Sequence, residues 1–274
     1  MSGRVGLLLL PGADGAKGAL MRLPVHATTL FALALFPAIV SCHAEPDDVV
    51  AAPVRANPVT VAKKPQQPLP PCDSAQDPPL TQAFTDGFER GELGDDWRST
   101  SYGAYFLKAG RLCISKPRNH PLWLKRKLPT NVKVEFEATP TTNNADVKAE
   151  LFGDGCAFDQ DGKDYTATAY VAVMGAHNNS EHWLARMFEH GPEAKITPLV
   201  AGGPSIANSK AIINTTYHWE LSRTDGKTVT FKVDGVTIHE MVDPQPLMGA
   251  GHDHFALNGW DAPACFDKVT VTPL

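Results

Sequence analysis

The densest group of side chains that could do chemistry lies in residues 177–190, which read HNNSEHWLARMFEH. Arginine and histidine can donate hydrogen bonds to ligand hydroxyls, and a tryptophan ring offers a flat apolar face for a sugar ring. We therefore predict a ligand-binding surface that contains Trp183, Arg186, Glu189 and His190. The alternative interpretation is a solvated sheet face that carries an ion pair.

The secondary structure of this segment decides which of its side chains meet. Nearby glycines and Pro198 leave little room for a helix, so we predict a strand over Trp183–Glu189. Alternate residues of a strand share a face, which would place His182, Arg186 and His190 on one open polar face and Trp183 on the other. A helix would instead bring His182 and Arg186 together.

A second candidate group surrounds Trp260, in the sequence Asn258-Gly259-Trp260. Loops at the rim of a sheet commonly carry binding residues, so we add Trp260 to the predicted ligand surface. The nearby His252 and His254 are two positions apart and could share a metal ion. Two ligands do not make a metal site, so polar decoration of a strand is the favoured interpretation.

A third group, Asp159 and Asp161, lies in the acidic, glycine-containing segment 154–164. Oxygen ligands spaced in this way suit calcium, and we expect no other cofactor. The segment is not an EF-hand loop, because its glycine comes too early and its twelfth position is not glutamate. A hydrophilic turn explains the same residues equally well.

The elements that must position these groups are short strands. Segments Lys133–Ala138, Thr228–Val233 and Lys268–Thr272 alternate polar and apolar residues with period two, as half-buried strands do. The Asp234-Gly235 pair is typical of a tight hairpin turn. Residues 82–274 are therefore predicted to form an all-β domain, an antiparallel two-sheet sandwich.

Six short motifs follow one another along residues 82–274: FTDGF at 84–88, LGDDW at 93–97, GRL at 110–112, VKVEF at 132–136, FKVDG at 231–235 and FDKVTV at 266–271. Their order resembles the concanavalin A-like jelly roll of the laminin G and legume lectin type, so the predicted sandwich would be an antiparallel two-sheet jelly roll. The resemblance implies that the first and last strands pair and that a calcium site would be unsurprising. Its motifs describe the fold, and so they predict architecture better than function.

Evidence for catalysis is weaker than evidence for binding. Glycosidases need two carboxylates, which hydrolases of the resembled superfamily carry as Glu-x-Asp-x-x-Glu. The nearest segment here, Glu135 to Pro140, lacks the last carboxylate. We predict carbohydrate binding, with a glycoside-processing enzyme that uses Glu135, Glu189 or His182 as the alternative. A protein-binding scaffold of the cell envelope, which uses an edge strand, is a third hypothesis.

The N-terminal residues 1–42 are predicted to be a signal peptide whose true start is Met21. Arg22 precedes an apolar stretch, and small residues and Cys42 follow it. The sequence Ile39-Val40-Ser41-Cys42 resembles a bacterial lipobox, which implies that Cys42 is lipidated and anchors the chain to a membrane. By the same resemblance His43 favours the outer membrane. An ordinary cleaved signal peptide, with a secreted or periplasmic product, is the alternative.

Residues 43–81 are predicted to be a linker. Nine prolines fall between Pro46 and Pro79, and this density prevents both helix and sheet pairing. An extended, semi-stiff tether would therefore separate the anchor from the folded domain.

The remaining four cysteines suggest two disulfide bonds in an exported chain. Three connectivities exist, and we expect Cys156 to pair with Cys265 and Cys72 with Cys113. Free buried thiols are the alternative.

Composition excludes some classes of function. The 274 residues are 43% hydrophobic, which is enough to bury a core, and carry a net charge of −5. Binding to nucleic acid needs a concentrated basic surface, which the sequence lacks, so no nucleic-acid partner is expected.

Overall fold

The computed structural model describes residues 72–160 and 165–274. Over these residues the chain forms two antiparallel sheets packed face to face, and helical structure is limited to a 3-10 turn at Ser74–Gln76 and a four-residue turn, α1, at Ala176–Asn179. This confirms the predicted all-β sandwich. The predicted signal peptide, Cys42, the linker up to residue 71 and Asp161 lie outside the described residues.

Fifteen strands are described in chain order: β1 (Phe84–Asp86), β2 (Trp97–Ser99), β3 (Tyr105–Lys108), β4 (Arg111–Ile114), β5 (Leu122–Leu124), β6 (Val132–Pro140), β7 (Val147–Gly153), β8 (Thr166–Gly175), β9 (Glu181–Phe188), β10 (Lys195–Pro198), β11 (Tyr217–Arg223), β12 (Thr228–Val233), β13 (Val236–Val242), β14 (His254–Gly259) and β15 (Ala264–Pro273). The eight-stranded sheet has the order β13-β12-β11-β6-β15-β4-β3, and β1 pairs with β15. The seven-stranded sheet has the order β10-β9-β8-β7-β14-β5-β2. None of the helices in the described ranges is both long and apolar enough to span a membrane.

The strands predicted from alternation are present. In β6 the buried residues Val132, Val134 and Phe136 alternate with partly exposed lysine and glutamate. Strands β12 and β13 form the predicted hairpin, and Asp234 and Gly235 in its turn have positive φ angles of 50° and 75°. The first and last strands pair as the resemblance implied, with Phe84 opposite Val271.

The inner faces of both sheets form one hydrophobic core. Aromatic rings meet at its centre, where Trp219 lies 5.2 Å from Phe136 and 4.7 Å from Phe231 between ring centroids. Both rings of each pair are buried, so the core is stabilised both by apolar burial and by contact between the rings.

The seven-stranded sheet is covered on its outer face as well. Every residue of β7 is buried, although only alternate residues can reach the core. Small apolar side chains of β8 pack outside the sheet with Trp123, Tyr165 and Trp183. The polar residues on the outer face of β7 are therefore shielded from solvent, and the candidate site is built around them.

Residues 72–80 pack against the domain. The backbone N–H of Leu80 donates to the carbonyl of Lys127 at 2.8 Å. Asp77 forms a two-pronged ion pair with Arg98 at 2.9 and 2.8 Å, and its carboxylate also contacts the buried ring of His254 at 3.1 Å.

The disulfide pairing differs from the prediction. Cys72 bonds to Cys156, and Cys113 bonds to Cys265. The reason lies in the sheet register: β4 and β15 are neighbours and place Cys113 directly opposite Cys265, with Cα atoms 3.9 Å apart. Cys72 is then left to fix the N-terminal segment onto the loop after β7.

Candidate functional site

A cleft opens on the outer face of the seven-stranded sheet. Its main cavity has a volume of about 230 Å³. A second cavity of about 250 Å³ adjoins it and shares Asp146, His177 and Trp260 with it. Strands β7 and β9 and the loops that follow β4, β6, β8, β9 and β14 supply the lining residues, so the cleft exists only in the folded chain.

The floor of the cleft is a buried charged network centred on Lys148 of β7. Its ammonium group donates to the carboxylate of Glu189 and, at 3.0 Å, to the amide oxygen of Asn119. Asp146 lies 3.6 Å from the same nitrogen, measured to Oδ1. Asn119 in turn donates to Glu189 at 3.2 Å. Two carboxylates therefore share one cation away from bulk water.

The charges of this network depend on one another. Burial is the largest influence on Lys148 and lowers its pKa, but the neighbouring Asp146 and Glu189 outweigh burial, so the pKa of Lys148 lies above its ordinary value. Burial raises the pKa of Asp146, and Lys148 opposes that rise. Lys148 is thus held as a cation by its two acidic neighbours.

Glu150 lies two residues further along β7 and is fully buried. Tyr165 donates to its two oxygens at 2.9 and 3.1 Å, and Asn258 donates at 2.7 Å. Burial raises the pKa of Glu150 to about 8, although these hydrogen bonds act in the opposite direction. Burial therefore favours the protonated form of Glu150, which lies beside Lys148 on the same face of β7.

One wall of the cleft consists of aromatic rings. His177 and His190 are parallel with centroids 5.6 Å apart, and both stand edge-on to Trp183 at 4.7 and 4.9 Å. Glu181 fixes this wall, because it accepts a hydrogen bond from Trp183 at 2.8 Å and contacts His177 at 3.1 Å. The histidine rings are the exposed part and Trp183 is their buried base.

Three loops around the cleft place side chains in the left-handed region of the backbone, which asparagine, aspartate and histidine tolerate better than most residues. Asn119, Asp146 and His177 have φ angles of 56°, 55° and 49°, and each lines the main cavity. Asp146 N–H donates to the Gly175 carbonyl at 3.1 Å, so the loop after β6 is bonded to the end of β8.

Trp260 forms the border between the two cavities and is partly exposed. Its carbonyl accepts a hydrogen bond from Arg118 N–H at 2.8 Å, and the guanidinium of Arg118 lies 5.9 Å from its ring centroid. Arg118 also pairs with Asp261 at 3.6 Å. The ring is therefore held in place while one side stays open to a ligand.

Of the predicted ligand residues, Trp183, Glu189, His190 and Trp260 converge in this cleft. Arg186 does not join them: it pairs with Asp243 at 2.7 Å and lines a separate cavity. The chain after Arg186 departs from strand alternation at Met187, which has a φ of 62°. Glu189 and His190 therefore both reach the cleft although they are adjacent in sequence.

His182, expected on the open polar face, is fully buried. One ring nitrogen contacts the Ile206 carbonyl at 2.9 Å and the other accepts from Gly175 N–H at 3.2 Å. Burial lowers its pKa to about 4. His182 is a satisfied interior histidine, and it is unsuited to the acid or base role considered for it.

The predicted calcium ligands are described only in part. Asp159 is buried, and its N–H donates to the carbonyl of Asn119 at 2.8 Å. Asp161 lies outside the described residues. Within residues 72–160 and 165–274 no group of three or more acidic, histidine or cysteine side chains is arranged around a metal position. The calcium site stays a prediction.

Glu135, the other carboxylate considered for catalysis, lies on β6 in the eight-stranded sheet, where it contacts Lys133 at 2.9 Å. It is therefore on the opposite side of the sandwich from Glu189. The residues that sequence reasoning missed are Asn119, Asp146, Lys148 and Glu150. One signal was available: the run 146–150 reads DVKAE, in which charged residues alternate with apolar ones inside an otherwise buried strand.

Comparison with known proteins supports the fold. A native glycosidic hydrolase shares it, with a TM-score of 0.51, 9% sequence identity, and coverage of 72% of this chain and 98% of that one. Weaker likeness extends to the carbohydrate-binding module CBM66 from Bacillus subtilis, with a TM-score of 0.45, 17% identity and coverage of 66% and 97%. The Bacillus licheniformis beta-glucanase has a TM-score of 0.46, 14% identity and coverage of 70% and 99%.

No family model matches the sequence, and neither does any curated protein. At 9% identity, the likeness to the glycosidic hydrolase shows the fold alone.

Proposed function

We propose that the cleft on the seven-stranded sheet binds carbohydrate. The observation that carries this proposal is the convergence of His177, His190 and Trp260 with the acceptors Asp146 and Glu189, from separate loops, around one cavity. Aromatic rings pack against the apolar face of a sugar ring, and carboxylates accept hydrogen bonds from its hydroxyls. Hydrogen bonds within the charged floor and between the loops and the sheet position these groups.

The size of the cleft suits a small ligand unit. Cavities for drug-sized ligands enclose about 300–1,000 Å³. The two cavities, of about 230 and 250 Å³, are each smaller than that and share Trp260 as a border. Each would take about one sugar ring, and together they would take two neighbouring rings of a chain.

Trp260→Ala tests the proposal. The substitution removes a partly exposed ring between the two cavities, so we expect glycan affinity to fall about 10- to 100-fold while the fold is retained. A glycan array with the purified protein would identify the ligand, and calorimetric titration would measure the change. Phe106→Ala is the matched control, because Phe106 is an exposed aromatic residue of the eight-stranded sheet and its loss should leave affinity unchanged.

Two further measurements distinguish carbohydrate binding from the other two hypotheses. Release of reducing sugar from a bound glycan, lost in Glu189→Gln, would favour a glycoside-processing enzyme. Absence of glycan binding, together with a tightly held envelope protein, would favour the scaffold. Equal affinity in Trp260→Ala and in the unchanged protein would show that carbohydrate binds elsewhere.

We also propose that the domain is tethered to the outer membrane through a lipid on Cys42. The lipobox-like residues 39–42 and the proline-rich segment after them support this proposal. We expect incorporation of labelled palmitate into the protein in a Gram-negative host, and its complete loss in Cys42→Ser. His43→Asp should keep the label but move the protein to the inner membrane. Labelling that persists in Cys42→Ser would contradict the proposed anchor.

A further inference from the structure

We infer that His182 is a positioning residue for the candidate site and that it acts through the backbone of Gly175. This inference rests on the proposed carbohydrate-binding function, because it names a residue that shapes the cleft without lining it. His182 is fully buried on β9, and the alternation of the strand turns it to the opposite face from Trp183, the buried base of the cleft wall.

Gly175 connects His182 to the cleft. Its N–H donates to Nδ1 of the His182 ring at 3.2 Å, and its carbonyl accepts from the Asp146 N–H at 3.1 Å. Gly175 also directly precedes α1, the turn that carries His177. Asp146 and His177 both line the main cavity, so a displacement of Gly175 would move two residues of the cleft.

The turn at Gly175 is closely packed. Its φ angle of 76° lies in the left-handed region that favours glycine. A Cβ atom at this position would lie 2.5 Å from Cβ of Ala145 and 2.9 Å from Oδ1 of Asn179. Ala145 belongs to the loop that carries Asp146, so this loop and the turn at Gly175 are expected to shift together.

The hydrogen bonds of the His182 ring fix its protonation. Nδ1 accepts from the Gly175 N–H and therefore carries no proton, whereas Nε2 lies 2.9 Å from the Ile206 carbonyl, which can only accept. The ring is thus neutral, with its proton on Nε2. A second proton, on Nδ1, would place two donors against each other, and the hydrogen bond from Gly175 would be lost.

The surroundings of His182 favour this neutral form. Burial lowers its pKa to about 4. β8 and the loop after β10 present backbone groups to the ring, and among the described residues His239 of β13 is the titratable group whose charge acts on it. Lys195 of β10 acts in turn on His239. Neither residue is acidic, so neither stabilises a charge on His182.

Two matched variants separate the two hydrogen bonds of the ring. In His182→Asn the side-chain oxygen takes the place of Nδ1 and can accept from Gly175, whereas in His182→Gln the amide takes the place of Nε2 and can bond to Ile206. We expect His182→Gln to bind the glycan with the strongest array signal about 3- to 10-fold more weakly, as loss of one hydrogen bond predicts. His182→Asn should stay within about twofold of the unchanged protein. Calorimetric titration at pH 7 would measure both.

Nuclear magnetic resonance gives a readout that needs no ligand. At pH 7 the ring nitrogen signals of His182 should show a proton on Nε2 and none on Nδ1. As the pH falls through about 4, the amide signals of Gly175 and Ala176 should shift together with the ring signals. Carboxylates of the cleft also take up protons in acid, so His182→Asn is the control at each pH, and the amide shifts should be absent from it.

The outcomes distinguish this inference from the proposed function. A proton on Nδ1 of His182 at pH 7, or equal losses of affinity in the two variants, would overturn the positioning role and leave carbohydrate binding intact. Amide shifts of Gly175 that persist unchanged in His182→Asn would also overturn it. Failure of every glycan to bind, together with the expected ring and amide signals, would overturn the proposed function, while His182 would still position the turn.

Discussion

Lys148→Met is expected to lower the free energy of unfolding at pH 7 by about 3–5 kcal/mol, because it leaves buried carboxylates without their cation. Asp146 and Glu189 both pair with Lys148, and the Lys148 and Glu189 side chains are each about 5% exposed or less. Methionine preserves most of the side-chain volume, so the loss reports charge rather than packing. Denaturant unfolding of the disulfide-bonded protein would measure it.

The direction of the pH dependence gives a second readout. Lys148 opposes the rise that burial causes in the pKa of Asp146, so without Lys148 that pKa should rise further and the folded state should hold an extra proton below it. The difference in free energy of unfolding between the variant and the unchanged protein should therefore shrink as the pH falls from 7 to 4. Glu189→Gln added to Lys148→Met should recover part of the loss at pH 7.

Lys232→Met is the matched control, since Lys232 pairs with Glu220 at 2.9 Å on the surface, with side chains 33% and 22% exposed. Loss of an exposed pair of this kind costs up to about 1 kcal/mol. Two results would contradict the prediction: a loss in free energy of unfolding for Lys148→Met as small as that of the control, or a loss that does not change with pH. Either would show that the carboxylates of the floor do not depend on Lys148.

The sequence was sufficient to predict the strands that have one solvent-exposed face. In β6 and β12 alternation is visible because lysine, glutamate and threonine face solvent between buried residues. In β7 the sequence VKAEL alternates as a half-exposed strand does although both faces are buried, so Lys148 and Glu150 are easily taken for surface residues. For this reason β7, the strand that carries the floor of the candidate site, was the hardest strand to interpret from the sequence.

The convergence of the site could be predicted only in part. Trp183, Glu189 and His190 lie in one segment, so sequence proximity made them candidates together. Asn119 and Asp146 reach the same cavity through loops whose left-handed conformations have no sequence signature as strong as glycine. Arg186 lies on the opposite face of β9 from Trp183, as alternation predicts, and the turn of the chain at Met187 brings His190 into the cleft without it. Cysteine pairing depends on which strands are neighbours, and spacing along the chain does not reveal it.

Glu150→Gln is expected to make the protein less sensitive to alkaline pH. The pKa of Glu150 is raised to about 8 in the folded protein from 4.5, so the folded state holds one more proton than the unfolded state between these values. Stability then falls as the pH rises through this window, by about 4 kcal/mol between pH 5 and pH 9. The glutamine variant has no such proton and should not lose this stability.

Glutamine can keep the local hydrogen bonds, because its carbonyl oxygen accepts from Tyr165 and Asn258 as the carboxyl group does. We therefore expect near-equal stability at pH 5 and a variant that is more stable than the unchanged protein at pH 9, measured by denaturant unfolding at each pH. A Glu150→Gln variant that tracks the unchanged protein from pH 5 to pH 9 would contradict this prediction and would mean that Glu150 is ionised in the fold throughout this range.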